Sequence, residues 1–323
     1  MWQEAFAEVY RDRILRGTEN DGFYSWRKLR AFGANLGALA CLFIEPWRRP
    51  APALSESDQA WLLNETAIQL RALGRLAEAL EPMQAGAELY VKREEWENAA
   101  LVFSNLSELQ LGLGRVRKAV ADARRSVEHA DRSGNAATCI LTRTTLADTL
   151  HQQGETGEAL AAFAEAERMQ AQWQPQYPLL YSLRGFLYCN LLLAEAERAA
   201  WSRQGGLGEG GPWEGVGEAG ADPGRAAACD EVARRAGQAL KIAEDNSLSL
   251  LTIALDHLTL ARCALYQDRL QGRPPGPEAR DQTERALDRL RAAGRQDYTP
   301  PSASSPGPGC ATPWATPTPP APT

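Results

Sequence analysis

The chain has no apolar run long enough to span a membrane. Its most apolar stretch, AFGANLGALACLFI at 31–44, has 14 residues, against the ~20 that a bilayer demands, and reads as a buried helix. Lysine is scarce: of 35 basic residues only four are lysines, Lys28, Lys92, Lys118 and Lys241. Acidic residues outnumber basic ones, 41 to 35, for a net charge of -6. That balance excludes a broad nucleic-acid-binding face, which needs a basic surface to displace counterions, and no membrane or nucleic-acid partner is expected. The six cysteines, at 41, 139, 189, 229, 263 and 310, include no C-x-x-C pair, so a zinc ribbon or a dithiol redox motif is excluded. They read as reduced thiols, most of them small core fillers. No secretory signal opens the chain, since Met1 leads directly into an amphipathic, charged stretch. The expected location is cytoplasmic.

The chemistry of known catalytic motifs is also missing. There is no G-x-x-x-x-G-K-[ST] phosphate cradle, no H-E-x-x-H and no G-x-S-x-G. GLGEGG at 206–211 satisfies G-x-G-x-x-G, but that motif binds dinucleotides only between a strand and a helix N-terminus. Here a helical pattern precedes it and Pro212 follows, so it reads as a loop. The three histidines, His129, His151 and His257, lie on separate segments and do not make a metal set. His129 follows Glu128 in what reads as the last turn of a helix, where a cation suits the dipole. No cofactor or metal is expected, and no nucleophile is paired with a base.

What is present is a repeat. LGRLAEAL at 73–80, LGRVRKAV at 113–120 and QGETGEAL at 153–160 align without gaps. Gly74, Gly114 and Gly154 recur every forty residues, and Ala79, Ala119 and Ala159 follow each by five. Apolar residues spaced three to five apart flank each glycine, which fits the helical period of 3.6. The glycine is therefore punctuation: a left-handed residue that ends one helix and lets the next turn back. The alanine is small because the second helix must approach the first closely.

These residues resemble the tetratricopeptide repeat, a helix-turn-helix unit. Leu146, Ala147, Leu150, Ala159, Phe163 and Ala166 match its signature in the third unit. Phe103, Leu106, Ser107, Ala119 and Ala123 match it in the second, and Leu63, Ala67, Leu70, Ala79 and Met83 in the first. The usual period is 34 residues, so either the helices or the joints between units are longer here. The first-helix tryptophan of the signature is absent. The resemblance implies an all-α, right-handed solenoid of antiparallel helix pairs.

Along the chain, residues 1–50 read as a helical pair, 1–16 and 23–44, joined by the turn GTENDG. PWRRPAPAL at 46–54 reads as a connector, and Ser55-Glu56-Ser57-Asp58 supplies N-cap candidates. Three repeats cover 55–172. Two degenerate helix pairs cover 173–297, with a long apolar helix at 177–201, a Gly-rich insertion at 203–224, a partner helix at about 225–245 and a last pair at about 247–294 turning at 272–277. The stretch 299–323 has no charged residue and is rich in proline, so it is expected to be disordered. Two explanations of that stretch stay open: a flexible tail, or a chain cut or read out of frame inside a longer array.

Function is expected on the first helix of each pair, which in such arrays lines the concave face. By the resemblance, contacts lie ten, six and three residues before each turn glycine: Asn64, Ile68 and Arg71; Ser104, Glu108 and Leu111; Thr144, Asp148 and His151. The Asn/Ser/Thr row would hydrogen-bond an extended backbone. Glu108 and Asp148 would favour a neutral or basic protein or peptide over an acidic one. The lysine and asparagine with which one subfamily clamps a C-terminal carboxylate are not at these positions. The forty-residue period and the non-repeat lead-in also resemble the C-terminal sensor arrays of bacterial signal-transduction ATPases of the P-loop STAND type, without the P-loop module. The expected function is a non-enzymatic protein- or peptide-binding scaffold. The alternative is an enzyme with the 203–224 loop as a lid.

Overall fold

The computed structural model describes residues 1–15, 25, 29, 31–202 and 223–293. The turn GTENDG, most of the Gly-rich stretch from 203 and the Pro-rich stretch from 299 lie outside these residues. Among the described residues the fold is all-α, an array of helices with one small hairpin. It divides into two units, Met1–Pro178 and Leu179–Thr323.

The first unit opens with one α-helical turn, α1 (Trp2–Glu4), that widens into a π-helix over Ala5–Ile14. The buried residues explain the widening. Phe6, Tyr10 and Leu15 are spaced by four and five. At about 100° per residue an α-helix would place Leu15 opposite Phe6, whereas i→i+5 turns, such as Leu15 N–H to the Tyr10 carbonyl at 2.8 Å, gather all three on one face. They pack with Leu39, Leu42, Phe43 and Leu62.

The helix expected over 23–44 does not run on to 44: among the described residues α2 spans Phe32–Ala40. Its end tightens through Leu42 N–H to the Leu39 carbonyl at 2.9 Å. The chain then forms a hairpin, β1 (Phe43–Glu45) against β2 (Arg49–Pro50). Aromatic and β-branched residues at 43 and 44 favour the strand, and Pro46 and Pro50 cannot continue a helix. The connector expected at 46–54 therefore contains the second strand.

Six helices of nearly equal length follow: α3 (Glu56–Ala72), α4 (Leu76–Lys92), α5 (Trp96–Gly112), α6 (Val116–Ser133), α7 (Ala136–Gln153) and α8 (Thr156–Trp173). Ser55 caps α3 by accepting from Asp58 N–H at 3.1 Å, and Asn135 caps α7 by accepting from Thr138 N–H at 3.1 Å. Gly74, Gly114 and Gly154 are left-handed, as the sequence predicts, with φ of +74°, +71° and +91°. Between them stand two more left-handed residues that the glycine pattern did not reveal, Glu94 at φ +57° and Gly134 at φ +68°. The chain thus reverses every twenty residues by the same device. The turn within a pair and the joint between pairs are alike.

Alanine packs these helices close: Ala79, Ala119, Ala123, Ala159 and Ala166 are all fully buried. A side chain at Gly86 would come 3.2 Å from the Ala60 carbonyl, so α3 and α4 touch backbone to backbone there. Ser107 and Ser126 use the short separation to donate to the Ala119 and Ala100 carbonyls at 2.8 and 2.7 Å. Phe103, Phe163 and Met83 fill the spaces between alanines.

The second unit contains α9 (Ser182–Ser202), α10 (Pro223–Asp245), α11 (Leu250–Leu270) and α12 (Pro277–Ala293). The apolar helix expected from 177 starts later, after Pro178 and a left-handed Ser182 at φ +59°. Pro223 and Gly224, expected at the end of the insertion, already belong to α10. Cys189, Cys229 and Cys263, distant in sequence, share one core with Val232, Tyr266 and Leu270.

Glu94 is exposed and left-handed, a conformation costing an ordinary residue roughly 1–2 kcal/mol. Glu94→Gly should raise stability in chemical denaturation by up to about 1 kcal/mol, part of the strain being offset by glycine's larger unfolded-state entropy. Gly114→Val should lower it by about 1 kcal/mol or more. Equal stability of all three proteins would show that these joints are not held left-handed in solution.

Candidate functional site

The nine expected contact residues lie on α3, α5 and α7, the first helices of three successive pairs. The structure separates them into two groups. Ser104 and Thr144 are buried, each 2% exposed, and their hydroxyls are committed. Ser104 shares a hydrogen bond with Thr145 at 2.9 Å, and Thr144 donates to the Leu141 carbonyl at 2.7 Å. Ser104 thereby ties α5 to α7 and Thr144 bonds back to its own helix, so neither hydroxyl is free for the expected backbone-reading row. Asn64, half-buried, is the one member of that row left; its side-chain oxygen is enclosed and has no hydrogen-bond partner among the described residues.

The other positions form a half-exposed strip. Arg71 of α3 donates to Glu108 of α5 at 2.5 Å and reaches the Asn105 carbonyl at 3.5 Å. Glu108 is thus partly neutralised by its own chain, where the sequence suggested that it was free for a basic partner. Next along the strip is Asp148 of α7. Burial pushes its carboxyl up to about 6, against a hydrogen bond from Gln152 that lowers it, and the negative charge of Glu108 adds a smaller upward push. Ile68, Leu111 and His151 flank the strip, half-buried. The arrangement presents one ion pair, Arg71–Glu108, and beside it one carboxyl raised to about 6.

His129 corrects another expectation. It is not a solvated cation at a helix end but a buried ring, 5% exposed. It stacks between Trp96 at 5.7 Å and Phe103 at 5.4 Å. Arg132 covers the Trp96 ring at 4.9 Å and Arg125 covers Phe103 at 4.0 Å. Burial lowers the imidazole pKa, so His129 serves as a neutral aromatic plate. The cationic role passes to the two arginines, whose heads stay wet.

In the second unit, Arg262 is almost enclosed and bonds Asn190, Glu197 and Tyr266; Glu197 in turn accepts from the Tyr266 hydroxyl at 2.7 Å. This network ties α9 to α11. Asp256, which the sequence reading passed over, sits inside the run LTIALDHLTLA. It is 3% exposed and one of its oxygens has no hydrogen-bond partner among the described residues. Burial raises its carboxyl to about 8. A lone acid in an apolar helical run was the available signal. Its neighbour His257 meets Gln282 of α12 at 2.7 Å. Among the described residues no group of three or more His, Cys, Asp or Glu side chains could hold a metal ion, and no helix is long and apolar enough to cross a membrane.

No protein-family model matches the chain, and no curated protein matches it. Among solved structures it is similar to BtubC (BKLC) from P. vanneervenii, with 12% identity over 90% of this chain and 98% of that chain and a TM-score of 0.49. That likeness carries no functional argument.

Asp256 yields a test with a definite sign. Its carboxyl is neutral in the folded state up to about pH 8 but ionises near 3.9 when unfolded. Its contribution to stability is therefore full below pH 4 and is lost as pH rises through 8. Asp256→Asn should match the wild type near pH 4. Its advantage in melting temperature should grow up to about pH 8 and level off above. A constant difference from pH 4 to 9 would refute the neutral buried acid.

Proposed function

We propose that the first unit is a non-enzymatic, protein- or peptide-binding helical repeat of the tetratricopeptide type, serving as the sensor or interaction part of a bacterial regulatory system. The helix lengths support the family reading. A 34-residue unit lengthened to forty by about one turn in its helices, with short left-handed joints kept, gives the helices of 17 and 18 residues found in α3–α8. The excess lies in the helices and not in the joints.

The observation that carries the binding reading is Asp148. Its carboxyl is raised to about 6 by burial, with Glu108 adding a smaller push that a hydrogen bond from Gln152 opposes. A lysine or arginine placed against it would restore the charged form and relieve that repulsion. Glu108, pinned by Arg71 at 2.5 Å, sets the edge of the strip and raises the demand for a cation one helix further on. The partner favoured is therefore a peptide or protein with a basic residue flanked by neutral ones, and an acidic segment is disfavoured. The site chosen from sequence shrinks to Arg71, Glu108 and Asp148, with Ile68, Leu111 and His151 beside them.

Binding a basic residue should cost a proton whenever Asp148 is protonated, so affinity should fall as pH drops through about 6. The check is calorimetric titration with peptides selected from a display library at pH 7.5, repeated at pH 5. Wild-type binding should weaken by up to about tenfold over that range, the most that protonating one such carboxyl can cost at pH 5. Asp148→Asn should bind weakly at both values. Undiminished affinity in Asp148→Asn would place the site elsewhere.

A further inference from the structure

A second binding site, unrelated to the strip, lies under the hairpin. Strands β1 and β2 stand off from α3 and α4 and leave an open cleft of about 540 Å³, a size typical of small-molecule sites. Leu63 of α3, Ala85 and Leu89 of α4, and Ile44, Pro50 and Pro52 around the hairpin make its walls apolar. Ile44 is 54% exposed, an unusual state for a strand isoleucine beside a core.

The charges around the cleft are uneven. Arg48, Arg49 and Lys92 line it, against a single carboxylate, Glu88. Glu88 is already taken by Arg125 from α6 at 3.0 Å. Arg48 is held by Glu81 at 3.0 Å and Lys92 by Glu56 at 2.7 Å. Arg49 has no ion-pair partner among the described residues. Arg49 is thus an exposed cation beside an apolar lining, without a carboxylate of its own among the described residues.

The hairpin is also shaped under strain. Trp47, in its turn, has φ +66°, a conformation that bulky residues take rarely and at a cost. Its ring packs edge-on against Phe43 at 5.7 Å. The packing fixes the turn and, with it, the placement of Arg48 and Arg49 that follow. On α3 the cleft residues Gln59 and Leu63 point about 80–180° away from Asn64, Ile68 and Arg71, counting about 100° per residue. The two sites are therefore on different faces of that helix.

The geometry points to a binding site for a small organic anion with one carboxylate on an apolar body, of the medium-chain carboxylate class. The chain of the ligand lies along Leu63, Ala85 and Leu89, and its carboxylate meets the guanidinium of Arg49. One charge is specified because one cation is uncommitted. Arg48 and Lys92, each balanced by its own glutamate, add to the positive field without demanding further anions.

The test is calorimetric titration of the full chain with decanoate, with decanol, and with an acetylated peptide ending in leucine and a free carboxylate. Decanoate should bind at least about tenfold more tightly than decanol, as expected for a charge-assisted hydrogen bond. Arg49→Glu should weaken decanoate by at least that factor with an unchanged melting temperature. Arg117→Glu, an exposed cation elsewhere, should leave it unaltered. Ala85→Leu should narrow the cleft and weaken decanoate without loss of fold. Absence of decanoate binding at millimolar concentration, equal affinity for decanol, wild-type affinity in Arg49→Glu, or tighter binding of the peptide would each overturn the assignment.

Discussion

The first unit depends on one recurring constraint: the chain must reverse direction within three residues, every twenty. A helix can end that sharply only if one residue enters the left-handed region and its neighbours cap the last carbonyls. At Gly74 the 74 N–H bonds the Arg71 carbonyl at 3.0 Å and the Arg75 N–H bonds the Leu70 carbonyl at 2.9 Å; Glu94, Gly114 and Gly154 repeat the first contact, and each following residue repeats the second. Equal turns make equal helices, and equal helices bring the same face of each to the same neighbours. The alanines, the seam hydroxyls and the strip all inherit their positions from that spacing.

Close packing in turn decides which polar residues are available. Where helices approach through alanine and glycine, a serine or threonine at the contact is drawn in and spent on a neighbouring carbonyl or hydroxyl, because an unpaired buried hydroxyl is costly. Ser104, Ser107, Ser126 and Thr144 are all used in this way. Longer side chains on the same helices, such as Arg71 and Glu108, reach past the seam and stay partly wet. Reach, as much as position in the repeat, separates residues that build the array from residues that can meet a partner.

This also marks what was legible in the sequence. Gly74, Gly114 and Gly154 announced three turns because they are glycines at equal intervals, and the apolar spacing around them announced the helices. Glu94 was hidden because a glutamate at positive φ has no sequence signal, and Gly134 because its partner position one unit earlier holds that glutamate. The hairpin was hidden inside an apolar run that fits a buried helix as well as a strand; Pro46 and Pro50 were the only marks against the helix. The π-helix at the start was written in the spacing of Phe6, Tyr10 and Leu15, but that spacing has meaning only once those three are known to share a core. For the candidate site, counting back from each glycine found Arg71, Glu108 and Asp148. It could not tell that the ten-before row falls on the seam between first helices, because that depends on how far apart α5 and α7 lie.

Two carboxyls with raised pKa values show why burial alone does not mark a functional residue. Asp256 is enclosed by apolar neighbours in the second unit, and no charged group contributes to its shift. It meets the cost of its position by keeping its proton, and there is no open side from which a partner could relieve it. Asp148 is raised by burial too, but it keeps a partly exposed side, and Glu108, itself tied to Arg71, adds a smaller push. A cation arriving from outside would supply an opposite charge to a carboxyl that burial otherwise holds back from ionising. The difference lies in access. On the function proposed above, that access is what would let a partner gain at Asp148, whereas Asp256, 3% exposed, bears on stability.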